Sequence, residues 1–344
     1  MRDIDLNKYQ LRTDLAIEAI EGIDVKDGIV TKEVVKDDVK ITMVDVLEDG
    51  IKLINKKKGR YITIEFDDPV DSDRQEAIKR IFGEQLKEFL SFLKIKDDAN
   101  CLVIGLGNDK STPDSLGPSV IDNVVVTKHL FALGSVSDGY RNVSAISPGV
   151  MGQTGIETSE IIFGITKRVK PDFIIIIDAL ASSSLSRINK TIQMTDTGIH
   201  PGSGVGNARK EISYELLKVP VIAIGIPTVV DAVTIVSDTI NFMQKQMAYN
   251  KENINNPIHK LITPSMIDYR KPQHDLSATE KKNLMGIIGT LEESEMKQLI
   301  YEVLSPIGYN LMVTPKEIDF IIEKLSDIVA EGINSALHRN KFKL

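Results

Sequence analysis

The sequence predicts an α/β protein whose mostly parallel central sheet is flanked by helices, with a smaller β-rich layer at the N-terminus and a helical C-terminus. Three observations predict this class: apolar strands that alternate with helices from residue 101 onward, period-two alternation between residues 28 and 66, and an apolar helical stripe near the C-terminus. The 344 residues, 42% of them hydrophobic, are enough for one large domain or two modest ones.

Composition and charge exclude several classes of protein. The chain carries 42 Lys and Arg against 49 Asp and Glu, a net charge of −7, which argues against broad binding to nucleic acid or to a membrane surface. The longest strongly apolar run, Phe173–Ile177, is far too short to span a membrane, and the charged N-terminus lacks a secretion signal. One cysteine, Cys101, cannot form an internal disulfide, so we expect a reducing, cytoplasmic location.

The N-terminal third combines strands with one helix. Between Gly28 and Phe66 apolar residues alternate with polar ones, which predicts half-buried strands. From Asp71 to Leu93 the apolar residues recur at helical spacing, which predicts one long helix leading into the next unit.

The middle of the chain reads as repeated strand, glycine turn and helix. The predicted strands are Cys101–Ile104, Asn142–Ile146, Phe173–Ile177 and Val219–Ile224. A helix is predicted after the first two and after the last, and Val230 is assigned to that last helix. Continuous apolar strands separated by helices indicate a parallel sheet covered on both faces.

The C-terminal part begins with a polar stretch and ends in a helix. Between Tyr249 and Gly289 the many Asn and Pro residues predict an irregular excursion, to which we assign no structure. Thr314 and Glu317, around Pro315, form a capping-box pattern that predicts the start of an amphipathic helix packed on the core.

Two aspartates follow predicted strands. In an open α/β sheet, ligands bind beyond the carboxyl ends of the strands. The sequence places two aspartates there: Asp114, in the loop Gly105–Pro118, and Asp178, in the stretch 178–181. Two carboxylates in one cleft cannot both ionise easily, so such a pair can act as general base and general acid on water. This is the chemistry of peptide hydrolysis.

Structural roles are open for the same residues. Asp114 has the position of a helix N-cap, and Asp178 is also explained by a hydrogen bond to a neighbouring loop. The glycine-rich run 202–207 fails the G-x-G-x-x-G pattern, because Asn207 stands in the third place, so it predicts a turn or a loop that holds a peptide through its backbone. The five histidines show no zinc-binding spacing, and only His200, beside that run, is a candidate.

Four segments resemble the germination protease family of spore-forming bacteria, atypical aspartic endopeptidases that degrade small acid-soluble spore proteins. The resemblance runs nearly end to end, and its most specific parts are Gly107–Pro118, Gly149–Glu157, Asp178-Ala179 and Asp196–Glu211. It implies that Asp114 and Asp178 are the catalytic pair. It further points to residues of substrate-binding or supporting loops: Asn108, Thr112, Glu157, His200, Gly204 and Gly206.

The resemblance also carries expectations about processing. Family members are zymogens, and their substrates are cut after an acidic residue and before a large apolar residue followed by alanine. Residues 13–18, Thr-Asp-Leu-Ala-Ile-Glu, have that form, so we expect self-cleavage between Asp14 and Leu15 and a propeptide of residues 1–14. The expected domains are then 15–95, a β-rich layer plus leading helix; 96–248, the catalytic core; and 249–344, the excursion and the C-terminal helices.

Fold, partners and location follow from the same resemblance. It implies the fold of hydrogenase maturation proteases, but the histidine ligand of those enzymes has no clear counterpart here, so we expect neither metal nor cofactor. It implies a homotetramer in the forespore and spore core, with small acid-soluble spore proteins as substrates and no direct contact with nucleic acid or membrane. The alternatives are a metal-dependent maturation-type protease that trims one specific partner, and a non-catalytic α/β binding module.

Overall fold

The chain folds into two compact units. The computed structural model describes residues 14–20, 28–201, 210–253, 255, 275–304 and 311–339. The larger unit comprises Arg12–Ser182, Ser186–Val229 and Thr314–Leu344, and the smaller unit comprises Met1–Leu11, Ser183–Leu185 and Val230–Val313. None of the helices in these described ranges is both long and apolar enough to cross a bilayer.

The strands form one sheet. In chain order they are Ile29–Lys36 (β1), Val39–Val46 (β2), Gly59–Glu65 (β3), Cys101–Gly105 (β4), Val143–Ile146 (β5), Phe173–Ser182 (β6), Thr191–Thr195 (β7), Val221–Asp231 (β8) and Met312–Val313 (β9). The order across the sheet is β1-β2-β3-β7-β8-β6-β4-β5, and β9 pairs with the end of β8.

Helices connect and cover these strands. They are Ala16–Ile20 (α1), Ile51–Ile54 (α2), Ser72–Phe92 (α3), Leu116–Asn123 (α4), Lys128–Ala132 (α5), Met151–Thr154 (α6), Thr158–Val169 (α7), Tyr214–Leu217 (α8), Ala232–Glu252 (α9), Ala278–Met285 (α10), Glu293–Leu304 (α11) and Ile318–Leu337 (α12). In the larger unit α3, α4 and α12 cover one face of the sheet, and α7 and α8 cover the other. In the smaller unit α9 and α11 pack together around Val233, Met296 and Ile300.

The predicted α/β class, with helices flanking a central sheet and a helical C-terminus, is confirmed. The pairing is more mixed than the sequence indicates. Strand β4 pairs in parallel with β5 and β6, whereas β1, β2, β3 and β7 join the same sheet through antiparallel ladders. The link is β7, which was not predicted, because three of its five residues are polar although all five are buried.

Several predicted boundaries are corrected. Strand β6 continues to Ser182, so the stretch 178–181 is strand and not loop, and β8 continues to Asp231, so Val230 lies in a strand. Helix α10 lies inside the stretch predicted as irregular and is stabilised by a capping box in which the Ser277 N–H donates to Glu280. The predicted capping box of α12 is absent, because the Thr314 hydroxyl donates instead to the Thr228 carbonyl oxygen, at 2.9 Å.

Helices α3 and α12 approach each other closely at Gly83 and at Gly332. A Cβ atom added to Gly332 would lie 2.1 Å from Cδ1 of Phe82, whose side chain is fully buried. We expect Gly332→Ala to lower the free energy of unfolding by up to about 2 kcal/mol, because overpacking costs about 1–3 kcal/mol and alanine recovers about 1 kcal/mol of helix propensity. Urea unfolding measures the change.

Gly164→Ala is the matched control for this substitution. Gly164 lies within α7, and an added Cβ would meet nothing within 4 Å. This variant should be more stable than wild type by about 1 kcal/mol, the helix-propensity gain alone. Shifts of the same sign in both variants would contradict the close packing at Gly332.

Candidate active site

Asp114 is held by the loop that follows β4. It is the last residue of a 3-10 turn, Thr112–Asp114. The Asn108 N–H donates to its backbone oxygen, at 3.0 Å, and to Oδ2 of its carboxylate, at 2.9 Å. The N-cap of α4 is Ser115, without a side-chain capping bond, so the interpretation of Asp114 as a helix N-cap is wrong. Its carboxylate instead closes the loop back onto Asn108.

The loop is fixed from two further sides. The Thr228 hydroxyl donates to the Pro113 carbonyl oxygen at 2.7 Å. Oδ1 of Asn108 accepts from the Lys110 N–H at 3.0 Å and from Nε2 of Gln153 at 2.7 Å. Each bond restrains the turn that carries Asp114.

Asp178 is buried within β6, with 5% of its surface exposed. Its Oδ1 accepts from the N–H of Ala179 at 3.0 Å. The parallel ladder between β4 and β6 ends with the pair Gly105 and Ile177, and the Leu106 N–H still donates to the Ile177 carbonyl oxygen at 2.8 Å. Asp178 therefore lies one residue beyond the last pair, beside Leu106.

Both aspartates lie near the carboxyl end of β4. Asp178 lies beside Leu106, and the next residue, Gly107, packs so closely on Asp114 that an added Cβ would lie 1.9 Å from the Asp114 carbonyl oxygen and 3.3 Å from its Oδ1. The 3-10 turn Thr112–Asp114 also packs against β6. The structure thus places the two residues, which follow different strands, near the same end of the sheet, and a pair of carboxylates can act as acid and base on water.

Asp14 docks on the end of β6. Its N–H donates to the Ala181 carbonyl oxygen at 3.3 Å, and the Ala181 N–H donates to Oδ2 of Asp14 at 3.0 Å. Ala181 is three residues beyond Asp178, about 10 Å along a strand that rises about 3.3 Å per residue. Leu15 is fully buried in an apolar cluster with Ile17 and Leu180. Side chains alternate along a strand, so Leu180 shares the face of β6 that carries Asp178.

The peptide bond between Asp14 and Leu15 is held by two side chains. Its carbonyl oxygen accepts from Nζ of Lys56 at 3.2 Å and from Nε2 of Gln193 at 3.1 Å. Oε1 of Gln193 accepts from the Ala16 N–H at 2.6 Å. Burial lowers the pKa of Lys56, and the carboxylates of Asp14 and Glu18 partly oppose that shift.

Glu18 is buried four residues after Asp14. Its side chain is 1% exposed and lies 3.6 Å from the Arg187 guanidinium. The Ser182 hydroxyl donates to its Oε1 at 2.5 Å. Nε of Arg187 also donates to Glu65 at 3.0 Å. Residues 14–18 are therefore anchored at both ends.

The remaining predicted residues are spread around this site. Glu157 is the N-cap residue of α7, and its Oε1 is buried without a hydrogen-bond partner among the described residues. His200 has a side chain that is 54% exposed, with Nε2 at 3.6 Å from Glu211. Gly204 and Gly206 lie outside the described residues. Cys101 is buried in β4, and burial raises the pKa of its thiol, as expected for an inert cysteine.

Sequence reasoning missed Lys56 and Gln193. Gln193 is 177 residues from Ala16 and lies in the strand that was not predicted, while Lys56 is one of three consecutive lysines. A polar side chain between the apolar residues Ile192 and Met194 is the signal that marks Gln193. Across the described ranges, no group of three or more His, Cys, Asp and Glu side chains is placed to hold a metal ion.

Comparison with known proteins gives a consistent set of matches. A family model described as germination protease matches residues 9–342. The germination protease of Priestia megaterium is 51% identical, over 98% of this chain and 96% of the relative. The germination proteases of Bacillus subtilis strain 168 and Geobacillus strain WCH70 are 48% and 49% identical, each over 98% of this chain and over 95% and 96% of the relative.

A solved structure of a hydrogenase maturation protease also matches part of the chain. The NiFe hydrogenase maturation protease HycI from Thermococcus kodakarensis is 19% identical and aligns with 42% of this chain and 80% of its own, with a TM-score of 0.28. A likeness at that level does not establish a shared fold.

Proposed function

The chain belongs to the germination protease family and is a protease, and we propose that it starts the degradation of small acid-soluble spore proteins during spore germination. We further propose that Asp114 and Asp178 are its catalytic residues. The observation that supports this assignment is that both aspartates lie near the carboxyl end of β4, Asp178 beside Leu106 and Asp114 against Gly107.

The proposed reaction needs one proton shared between two carboxylates. One of Asp114 and Asp178 removes a proton from water, and the water oxygen adds to the carbonyl carbon of the peptide. The other, protonated, donates a hydrogen bond to the carbonyl oxygen and later supplies the proton that the departing amide nitrogen takes up. Asn108 and Thr112 position Asp114, while Glu157, His200, Gly204 and Gly206 are proposed to support or bind substrate.

The proposed zymogen cleaves itself between Asp14 and Leu15. The docking of Asp14 on β6, three residues from Asp178, supports this site, as does the pair of donors on its carbonyl oxygen. Cleavage there releases residues 1–14 as a propeptide.

The proposed setting of the enzyme follows its family. Its substrates are small acid-soluble spore proteins in the forespore and spore core, and it acts as a homotetramer without a resident cofactor. The net charge of −7 supports a protein that does not itself bind nucleic acid.

Intact-mass spectrometry of the purified full-length chain, before and after mild acidification, tests the proposal. Wild type should lose residues 1–14, and Asp114→Asn should keep its full mass, because an amide cannot exchange the proton. Asp122→Asn is the control, since Asp122 is an exposed aspartate on the neighbouring helix α4. Removal of residues 1–14 from Asp114→Asn at the wild-type rate would move the chemistry elsewhere.

A chelator distinguishes the metal-dependent alternative in the same assay. Two carboxylates acting on water need no metal ion, so cleavage of wild type should proceed unchanged in EDTA. Cleavage that stops in EDTA and resumes when a divalent metal is restored would instead favour the maturation-type mechanism.

A further inference from the structure

Gln193 contacts the backbone on both sides of Leu15. Its Nε2 donates to the Asp14 carbonyl oxygen at 3.1 Å, and its Oε1 accepts from the Ala16 N–H at 2.6 Å. A primary amide that offers one donor and one acceptor binds an extended chain much as a neighbouring strand does. Gln193 is 5% exposed, so water competes little for these bonds. Both hydrogen bonds are made to backbone atoms, so they do not depend on which side chain lies between the two peptide groups.

Lys56 supplies a second donor to the same carbonyl oxygen. Its Nζ lies 3.2 Å from the Asp14 oxygen, so that oxygen accepts from two side chains. The Lys56 side chain is partly buried, and burying a charge is costly unless it is paired or hydrogen-bonded. A lysine that served only to anchor the backbone would gain little over a neutral donor.

The chemistry of amide hydrolysis gives these donors a role. When the water oxygen adds to the carbonyl carbon, the carbonyl π electrons move to the oxygen, which gains negative charge. Donors already aimed at that oxygen then stabilise the transition state more than the ground state. The C–N bond to Leu15 breaks as the oxygen re-forms its double bond, and the nitrogen leaves with a proton from the carboxyl pair.

We propose that Gln193 and Lys56 are positioning residues that hold the carbonyl group of the peptide bond to be cut, in the zymogen at Asp14-Leu15 and in protein substrates at the same place. This inference rests on the proposed self-cleavage. Neither residue forms a covalent bond or changes its protonation in the step. Together they hold the carbonyl group in addition to the hydrogen bond proposed from the protonated aspartate.

Gln193→Glu and Lys56→Met test the proposal in the full-length chain. Glutamate at 193 keeps the acceptor for the Ala16 N–H but places a second acceptor against the Asp14 carbonyl oxygen. Methionine at 56 keeps the apolar stem and removes the donor. We expect each variant to slow release of residues 1–14 by about 10²-fold, because removing one donor of this kind costs about 10²–10³-fold. Lys56→Arg, which keeps the donor, should recover part of the rate.

Two further readouts separate positioning from a merely structural role. On a peptide covering residues 9–22, Lys56→Met should lower kcat more than it raises KM, because the lost interaction strengthens in the transition state. Its melting temperature should not fall, since the charge removed is one that burial disfavours. Lys58→Met, which changes an exposed lysine paired with Glu48, is the control and should cleave as wild type does.

The outcomes are distinguishable. If wild type does not lose residues 1–14, the proposed self-cleavage fails. If wild type is cleaved and both Gln193→Glu and Lys56→Met are cleaved at the wild-type rate, the positioning role is wrong while the proposed function stands. Slow cleavage in both folded variants, with partial recovery in Lys56→Arg, supports the inference.

Discussion

Asp178→Asn is expected to reduce peptide-bond hydrolysis by at least about 10³-fold, within the range of about 10²–10⁴ that proton transfer by one positioned side chain contributes. Asparagine matches aspartate in size, and its Oδ1 can still accept the hydrogen bond from Ala179. The fold should therefore persist while the residue can neither take up nor release a proton. The kcat and KM values on a peptide covering residues 9–22 measure the effect, which should fall on kcat.

The comparison needs a carboxylate removed outside the site. Asp122→Asn, on the exposed side of α4, should keep wild-type kcat and KM. Matching circular dichroism spectra and melting temperatures for all three proteins would show that the loss is chemical. More than a tenth of the wild-type kcat in Asp178→Asn would be incompatible with a two-carboxylate mechanism.

Gly107→Ala is expected to disrupt the site without altering any functional side chain. Gly107 has φ +119°, a conformation that L side chains rarely adopt, and an added Cβ would lie 1.9 Å from the Asp114 carbonyl oxygen. Because that contact is with backbone, relief requires the loop to open and Asp114 to move. A misplacement of about 1 Å can cost about 10²-fold in rate, so we expect a loss of about that size in kcat.

Gly155→Ala distinguishes the effect of backbone strain from the effect of a steric clash. Gly155 also has positive φ, +72°, but an added Cβ would meet nothing within 4 Å. It should lose about 1–2 kcal/mol of stability from the left-handed conformation and keep its activity. Equal loss of activity in both variants, measured on the same peptide, would show that the close approach of Gly107 to Asp114 is not the cause of the loss.

Local sequence patterns predict the structure correctly where buried residues recur at a regular spacing. The apolar spacing from Asp71 to Leu93 predicted α3 to within one residue at each end, and the stripe near the C-terminus predicted α12. Asp114 and Asp178 were predicted from strand ends, since the carboxyl edge of a parallel sheet collects ligand-binding side chains. Their placement beside Leu106 and Gly107 fits that expectation, and their catalytic role stays a prediction.

Local sequence patterns do not predict the structure where it depends on a residue far away in the sequence. Strand β6 was predicted to stop at Ile177 because Asp178 interrupts the apolar run, yet its backbone continues, and Ala181 there exchanges hydrogen bonds with Asp14. The capping box at Thr314 failed because the Thr228 carbonyl oxygen competes for its hydroxyl. In each of these contacts the two partners are too far apart in the sequence for a local pattern to reveal them.

Because residues 15–18 are docked, the proposed cleavage between Asp14 and Leu15 and the opening of the site would be separate events. Leu15 and Ala16 are fully buried, and Glu18 is held by Ser182 and Arg187. All of these stay covalently attached after the bond before Leu15 is broken. A tethered segment faces its own site at an effective concentration of about millimolar, so a protein substrate must compete with it. Under the proposed cleavage, the new terminus would act as a competitive inhibitor, and we expect full activity only when that end of the chain has left the site.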